Sequence, residues 1–141
     1  MHLPEITLTH DLPAADLQFL DERLYDHNRA ATGWDDGSLF GLFMRGADGV
    51  VLAGLHGWTW AAVCEIRMLW VDPGLRRQGI GAELLRQAEV EARVRGCQTI
   101  ILTTYSFQAP ELYRRFGFEE AGRVEGFPLG STYYLFVKRL V

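Results

Sequence analysis

The stretch from residue 63 to residue 103 constrains the fold more than any other part of the chain. An apolar segment, Val63 to Val71, ends at the turn Asp72-Pro73-Gly74, and an amphipathic segment then runs from Gly79 to Gly96. Apolar side chains at helical spacing between two glycines predict a surface helix. The β-branched run over residues 99–103 is typical of a buried strand. A strand, a helix and a second strand in this order predict a sheet with a helix packed against it.

Periodicity and turn residues in the rest of the chain predict further elements on both sides of this unit. Before the unit, we predict a strand at 6–9, a helix from the N-cap Asp11 to Gly33, and a hairpin of strands at 38–45 and 50–61. After it, we predict a short helix at 109–116 and final strands from Phe118 onward and over 131–137. The overall predicted order is β-α-β-β-β-α-β-α-β-β. No repeat or linker interrupts this order. We therefore expect one α/β domain over residues 1–141, with a mixed sheet and packed helices.

Composition excludes several classes of protein. Of the 141 residues, 48% are hydrophobic and 23% charged, as in ordinary globular domains. The net charge is −4 and no basic run exceeds two residues, so we expect no nucleic-acid partner. No apolar run reaches the roughly 20 residues of a membrane span, and the first residues lack the pattern of a signal peptide. We therefore expect no membrane association and a cytoplasmic location. The four histidines lack the spacing of metal ligands, so no metal is expected.

The loop from Val71 to Gly81 carries the clearest chemical signal. It leads from a strand through two arginines to Gly79-Ile80-Gly81, which opens the amphipathic helix. Free N–H groups at a helix N-terminus bind phosphate, and glycines let the backbone approach it closely. The third glycine of a dinucleotide-binding fingerprint is absent, and so is the lysine of a P-loop. The alternative is an ordinary helix that begins at a glycine.

Three motifs in this order resemble the GNAT (Gcn5-related) N-acetyltransferase family. Residues 76–81, Arg-Arg-Gln-Gly-Ile-Gly, match its [RQ]-x-x-G-x-[GA] acetyl-coenzyme A motif. Residues 65–73 are similar to its fourth strand, and residues 112–118 resemble its LYxxxGF segment. The tract at 106–110 also resembles a bacterial subgroup of small-molecule acetyltransferases whose substrates are mostly unassigned.

This resemblance implies a twisted mixed sheet of six to seven strands, flanked by helices, in which the fourth and fifth strands splay apart. It also implies acetyl-coenzyme A as co-substrate and direct transfer of the acetyl group to a primary amine of a small molecule or peptide. The pantetheine arm would lie along the fourth strand and the diphosphate on the loop. The residues implied in cofactor binding are Leu69, Trp70, Val71, Arg76, Arg77, Gln78, Gly79, Ile80, Gly81, Ala82 and Ser106.

The resemblance also implies roles in catalysis. Tyr113 matches the family's general acid, with a core aromatic as the alternative. Glu65 matches the position of a general base in some members, and a structural ion pair with Arg67 is the alternative. Ser106 stands where the family often has an asparagine that contacts pantetheine; otherwise it caps the following helix. Cys64 as a covalent acetyl carrier is a weaker hypothesis, since no histidine lies near it in sequence.

In the family the acceptor is held by three regions, which correspond to Tyr25–Asp36, Trp58–Ala62 and Gly126–Gly130. The aspartates of the first region favour a cationic amine. Two rival functions stay open: a catalytically silent module that binds or senses acyl-coenzyme A, and an interaction unit in an oligomer. A homodimer is also expected, because the final strands of the family often pair between protomers.

Overall fold

The computed structural model describes every residue from Met1 to Val141. The chain divides into two compact units, one over Met1–Asp35 and the other over Asp36–Val141. None of its three α-helices combines the length and apolarity that crossing a bilayer requires. All predicted catalytic and cofactor-binding residues belong to the second unit, whereas most of the predicted acceptor region Tyr25–Asp36 belongs to the first.

The first unit contains one helix, α1, over Ala14–Thr32. It ends as predicted at Gly33, whose φ of 78° is left-handed and whose N–H donates to the Arg29 carbonyl. Its N-cap is Pro13, so the prediction of Asp11 as N-cap is wrong. The strand predicted at residues 6–9 is also wrong, because these residues adopt no regular structure. Four alternating residues do not make a strand without a hydrogen-bonded neighbour.

The second unit is built on a six-stranded mixed sheet with the order β1-β2-β3-β4-β6-β5. Its strands are β1 (Ser38–Arg45), β2 (Val51–Trp60), β3 (Val63–Val71), β4 (Thr99–Tyr105), β5 (Glu119–Glu125) and β6 (Thr132–Arg139). Only β3 and β4 are parallel; the other neighbours are antiparallel. The family's fourth and fifth strands therefore correspond to β3 and β4 here, because the expected first strand is missing.

Two helices complete this unit: α2 over Ile80–Val94 and α3 over Pro110–Arg115. The buried face of α2 carries Leu84, Leu85, Ala88 and Ala92, at the helical spacing predicted. These side chains share one core with the inward residues of the sheet, among them Leu55, Ile66, Ile100, Leu102 and Phe136. Burying each large apolar side chain contributes roughly 1.5–3 kcal/mol, so this core fixes α2 across the sheet.

The two parallel strands separate after four residues. β3 pairs with β4 only from Val63–Thr99 to Ile66–Leu102. Beyond that point β3 stays paired with β2, and β4 stays paired with β6. On β3, Arg67 is an extra residue where the register with β2 shifts, and such a bulge bends a strand. The splayed pair of strands that the family resemblance implied is therefore present, and we call the gap between them the fork.

Candidate functional site

The β3 side of the fork presents backbone groups that do not pair with β2. The register places Leu69 and Val71 opposite Leu55 and Ala53 of β2, and the Asp72 N–H donates to the Leu52 carbonyl at 2.8 Å. In an antiparallel pair, successive residues direct their N–H and C=O groups alternately toward and away from the partner. Because Asp72 faces β2, Val71 and Leu69 direct theirs into the fork.

The Val71 carbonyl already has one partner in this structure. The Arg76 side chain donates from Nε to that oxygen at 2.9 Å, which folds the loop back over the end of β3. A carbonyl oxygen has two lone pairs, so one acceptor site is left on Val71. Arg76 and Val71 were both predicted to bind the cofactor. Their spacing in the sequence could not have predicted this hydrogen bond between them.

The loop between β3 and α2 is ordered by the Asp72 side chain and by a short turn. Asp72 accepts a hydrogen bond from the Gly74 N–H at 2.9 Å, and Pro73–Leu75 form a single 3₁₀ turn. Arg77 then adopts a φ of 65° and Gly79 a φ of 81°. A left-handed φ at a residue with a β-carbon is strained, and such strain is found mostly at functional sites.

The N-terminus of α2 has no side-chain cap. Gly79 is the N-cap residue, and its carbonyl accepts from the Glu83 N–H at 3.0 Å. The N–H groups of Ile80, Gly81 and Ala82 precede the first intrahelical bond and have no side-chain acceptor at the cap. Together with the positive end of the helix dipole, they form a site suited to an anion such as a diphosphate.

The two glycines of this motif serve different ends. At Gly79 a β-carbon would meet nothing within 4 Å, so the left-handed φ explains why this residue is glycine. At Gly81 a β-carbon would lie 3.2 Å from Leu112 Cδ2 and 4.0 Å from Leu69 Cδ2. Gly81 therefore brings the start of α2 close to both α3 and the fork.

Tyr113 lies on α3 and is 8% exposed. Its ring packs edge-on against Phe118 and Phe136, with centroids 6.0 and 6.3 Å apart. Burial raises the pKa of its phenol above the ordinary value of 10.0. No fully buried polar side-chain atom lacks a hydrogen-bond partner. Because the Tyr113 hydroxyl makes no such bond, its oxygen is not completely buried, and its proton is not engaged by another side chain.

Glu65 forms an ion pair with Arg67. Arg67 Nε lies 2.7 Å from Glu65 Oε1, and both side chains are 43% exposed. The Arg67 guanidinium also lies 5.4 Å from the ring centroid of Trp58 on β2. The ion pair with Arg67, which was the structural alternative to a general-base role for Glu65, is therefore present. Only one carboxylate oxygen takes part in the ion pair, so the pair does not exclude a role in proton transfer.

A groove of about 330 Å³ crosses the sheet where β3 and β4 part. Its lining includes the last paired residues of the two strands, Ile66 and Leu102, and the Glu65–Arg67 pair. The opposite wall comes from the start of β6. The complete lining is Glu65, Ile66, Arg67, Ile101, Leu102, Thr103, Tyr133 and Leu135. Sequence reasoning missed Thr103, Tyr133 and Leu135, and only the β4–β6 register brings them to the fork.

Ser106 is held by the neighbouring strand. Its N–H donates to the Thr132 carbonyl at 2.8 Å, and its Oγ accepts from the Thr132 N–H at 2.9 Å. The N-cap of α3 is Ala109, without a side-chain cap bond, so the helix-capping alternative for Ser106 is wrong. The Ser106 hydroxyl proton is left available for another acceptor.

Cys64 is fully buried on β3, and desolvation raises the pKa of its thiol to about 12. The thiolate is the nucleophilic form of cysteine, so this thiol is unreactive at neutral pH. A covalent acetyl-cysteine at position 64 has no support in the structure.

Two of the three aspartates expected to attract a cationic acceptor, Asp26 and Asp36, have other partners. Asp26 forms ion pairs with Arg23 and Arg29 on its own helix, both at 2.9 Å. Asp36 accepts from the Ala61 N–H at 3.0 Å, at the turn between β2 and β3. These contacts weaken the inference from acidic residues to a cationic amine.

Comparison with known proteins identifies the family. The model of the acetyltransferase (GNAT) family matches residues 7–118, which is most of the chain. The chain belongs to the GNAT acetyltransferase family. A relative described as blasticidin-S acetyltransferase, from Streptomyces morookaense, is 36% identical over 106 residues, covering 72% of this chain and 76% of the relative.

Solved structures of GNAT acetyltransferases share the fold. A proposed acetyltransferase from Agrobacterium tumefaciens superposes with a TM-score of 0.89 at 29% identity, covering 97% of this chain and 100% of the other. An aminoglycoside 6'-N-acetyltransferase crystallised with coenzyme A reaches a TM-score of 0.63 at 15% identity, covering 73% of each chain. The second likeness concerns the fold alone.

Proposed function

We propose that this GNAT protein transfers an acetyl group from acetyl-coenzyme A to a primary amine by direct reaction in a ternary complex. The observation that carries the proposal is the continuity of three features: the fork, the loop after β3 and the uncapped start of α2. A relative named for acetylation of blasticidin S and a structural neighbour crystallised with coenzyme A support it.

The fork, the loop and the start of α2 each fit a different part of acyl-coenzyme A. In the proposed complex, the N–H and C=O groups of Leu69 and Val71 pair with the amides of the pantetheine arm, as in the addition of a strand. Free N–H groups at Ile80–Ala82 hold the diphosphate, and the strained loop at Arg77–Gly79 presents its backbone to the same group. Trp70 lies on the same strand, and Ser106 offers its hydroxyl from the end of β4.

The donor supplies an activated acetyl thioester. The N–H near Leu69 polarises the acetyl carbonyl, since a donor fixed beforehand stabilises charge that develops on oxygen. The amine nitrogen forms the new bond to the carbonyl carbon as the carbon–sulfur bond breaks. Tyr113 donates its proton to the departing sulfur. Glu65, directly or through a water molecule, accepts the proton that the amine loses.

The raised pKa of Tyr113 suits this role in one respect. A buried phenol stays protonated throughout the neutral range, so a proton is always present when the thiolate leaves. This supports Tyr113 as the acid rather than as a base.

Release of free thiol from acetyl-coenzyme A, measured across a panel of primary amines, tests the proposed transfer. Amine-dependent release that saturates in both substrates supports it. Binding of coenzyme A without release for any amine would favour the catalytically silent module instead.

Tyr113→Phe sharpens this test. We expect kcat to fall by about 10²-fold or more, because proton transfer by a positioned acid contributes roughly 10²–10⁴-fold. The Kd for coenzyme A, measured by calorimetry, should change little, because the ring packing is kept. Equal losses in rate and affinity would make Tyr113 a packing residue.

A further inference from the structure

Four aromatic rings form a cluster beside the groove. Tyr105 lies between Phe107 and Tyr133, with stacked centroids 5.0 and 4.6 Å away. Phe127 meets Tyr105 and Tyr133 edge-on, at 5.4 and 5.1 Å. Tyr133 also lines the groove. The ring cluster (Tyr105, Phe107, Phe127, Tyr133) is thus continuous with the groove wall.

The ring cluster is not part of the hydrophobic core. None of its four members belongs to the core of the unit or to the partly buried residues packed against that core. Phe107 is 62% exposed and Phe127 is 47% exposed. Large apolar groups that gather at the surface beside a cavity are a mark of ligand grooves, because their exposure is otherwise unfavourable.

Charge in the groove is balanced. Its only charged lining residues are Glu65 and Arg67, and these two form an ion pair. A polyamine or a many-armed cationic acceptor would need several carboxylates, and the groove offers one. The remaining lining is apolar apart from Thr103 and the Tyr133 hydroxyl.

The groove is large enough for an aromatic ring. An apolar cavity of about 150 Å³ holds benzene. The groove of about 330 Å³ therefore has room for one or two fused rings and a short chain that carries the amine. The groove includes Ile66, and at about 3.3 Å per residue the fork residue Leu69 is roughly 10 Å further along β3.

We propose that the acceptor is a primary amine carried on a planar aromatic or heteroaromatic ring, which the ring cluster and the groove bind by stacking. This inference rests on the proposed acetyl transfer. In the bound acceptor the ring lies in the groove against Tyr133, which the other three rings of the cluster support, and the amine points into the fork, whose closed end is next to Glu65. Acetylation then forms the nitrogen–carbon bond, breaks the carbon–sulfur bond, and releases coenzyme A as the thiol.

A matched pair of amines isolates the effect of the ring. 2-Phenylethylamine and 2-cyclohexylethylamine have the same chain and the same amine, and they differ in whether the ring is planar and aromatic. We expect kcat/KM for the aromatic amine to be about three- to tenfold higher, which corresponds to the usual range for aromatic pairs. Spermidine should be the poorest of the three. A preference for spermidine or for the cyclohexyl amine would overturn the inference and leave the proposed transfer standing.

Variants locate the effect in the ring cluster. Tyr133→Leu removes the one ring of the cluster that lines the groove, so it should bring the ratio of kcat/KM for 2-phenylethylamine to that for 2-cyclohexylethylamine close to one. Phe43→Leu is the control, since Phe43 is an exposed aromatic on β1 that lies outside the groove. Equal losses for both amines, or an effect of the control variant, would contradict the assignment.

Calorimetry separates the two proposals. If no amine is acetylated by protein that binds coenzyme A, the proposed transfer fails. The binding of 2-phenylethylamine to the protein with coenzyme A then decides the inference by itself. Binding that is weakened in Tyr133→Leu supports the ring-binding groove, and the absence of binding overturns it.

Discussion

Tyr113 shows how one residue serves both packing and chemistry. Its ring lies among the aromatic side chains of the core, and its hydroxyl makes no hydrogen bond to another side chain. Burial raises the pKa, so the neutral phenol is favoured in the folded state. The unfolded chain therefore loses this proton first as the pH rises.

This linkage predicts a pH dependence of stability. Above about pH 10 the unfolded state binds fewer protons at Tyr113 than the folded state does, so the free energy of unfolding decreases as the pH rises. Tyr113→Phe removes this contribution. Urea unfolding at about pH 9 and about pH 11 should show a smaller loss of stability in the variant than in the wild type. An identical loss in both proteins would mean that the phenol ionises normally in the folded state.

Glu65 is the second residue whose role can be measured. If it accepts the amine proton, Glu65→Gln should lower kcat and remove or shift the acidic limb of the pH–rate profile. Folding should be little affected, because an exposed ion pair contributes about 0–1 kcal/mol. Glu120→Gln is the matched control, since Glu120 pairs with Arg123 away from the groove. A profile with an unchanged acidic limb would leave Glu65 with its structural role only.

The sequence predicted on which helix or strand a residue lies better than it predicted which residues that side chain contacts. Tyr113 was predicted on a short helix from the motif around it, and it lies there. The burial of Tyr113, and the hydrogen bonds between Ser106 and Thr132, depend on how α3 and β6 fold back on β4. Local sequence contains no information on such long-range contacts.

At the scale of elements, the junction of β3 and α2 determines the candidate site. β3 ends where its pairing with β4 has already been lost, and α2 begins at a glycine with a left-handed φ. Residues that hold this junction should therefore affect cofactor binding without touching the reacting atoms.

Two glycines with nearly the same backbone conformation test whether the junction of β3 and α2 affects cofactor binding. Gly79 has a φ of 81° and Gly49, in the β1–β2 turn, a φ of 82°; a β-carbon would meet nothing within 4 Å at either position. Substitution by alanine should destabilise each by roughly 1–2 kcal/mol, the cost of a left-handed conformation for a residue with a β-carbon. Only Gly79→Ala should also weaken coenzyme A binding, by about tenfold in calorimetry. Equal affinities for the two variants would contradict the role of the junction.

Prediction of the elements succeeded where the hydrophobic pattern extended over many residues, and it failed at residues 6–9, where the pattern covered only four. The amphipathic run of α2 and the β1–β2 hairpin were predicted from residue spacing and turn residues. The four residues at 6–9 alternated in the same way and form no strand. The fork could be expected only from the family resemblance, because no local pattern states where two parallel strands stop pairing.

At the scale of the whole molecule, family membership is shown and several expectations stay predictions. One domain over residues 1–141, a cytoplasmic location and a homodimer are among them. Sedimentation velocity would test the homodimer: a mass near 32 kDa, twice the 16.0 kDa chain, is expected, and a single species at 16.0 kDa would contradict it.

The position of bound acetyl-coenzyme A is the central claim at this scale. A crystal structure of the complex would test it most directly. We expect the pantetheine arm in the fork, hydrogen-bonded to the backbone of Leu69 and Val71, and the diphosphate on the N–H groups of residues 76–82. A diphosphate bound at any other surface, with the fork empty, would contradict the account.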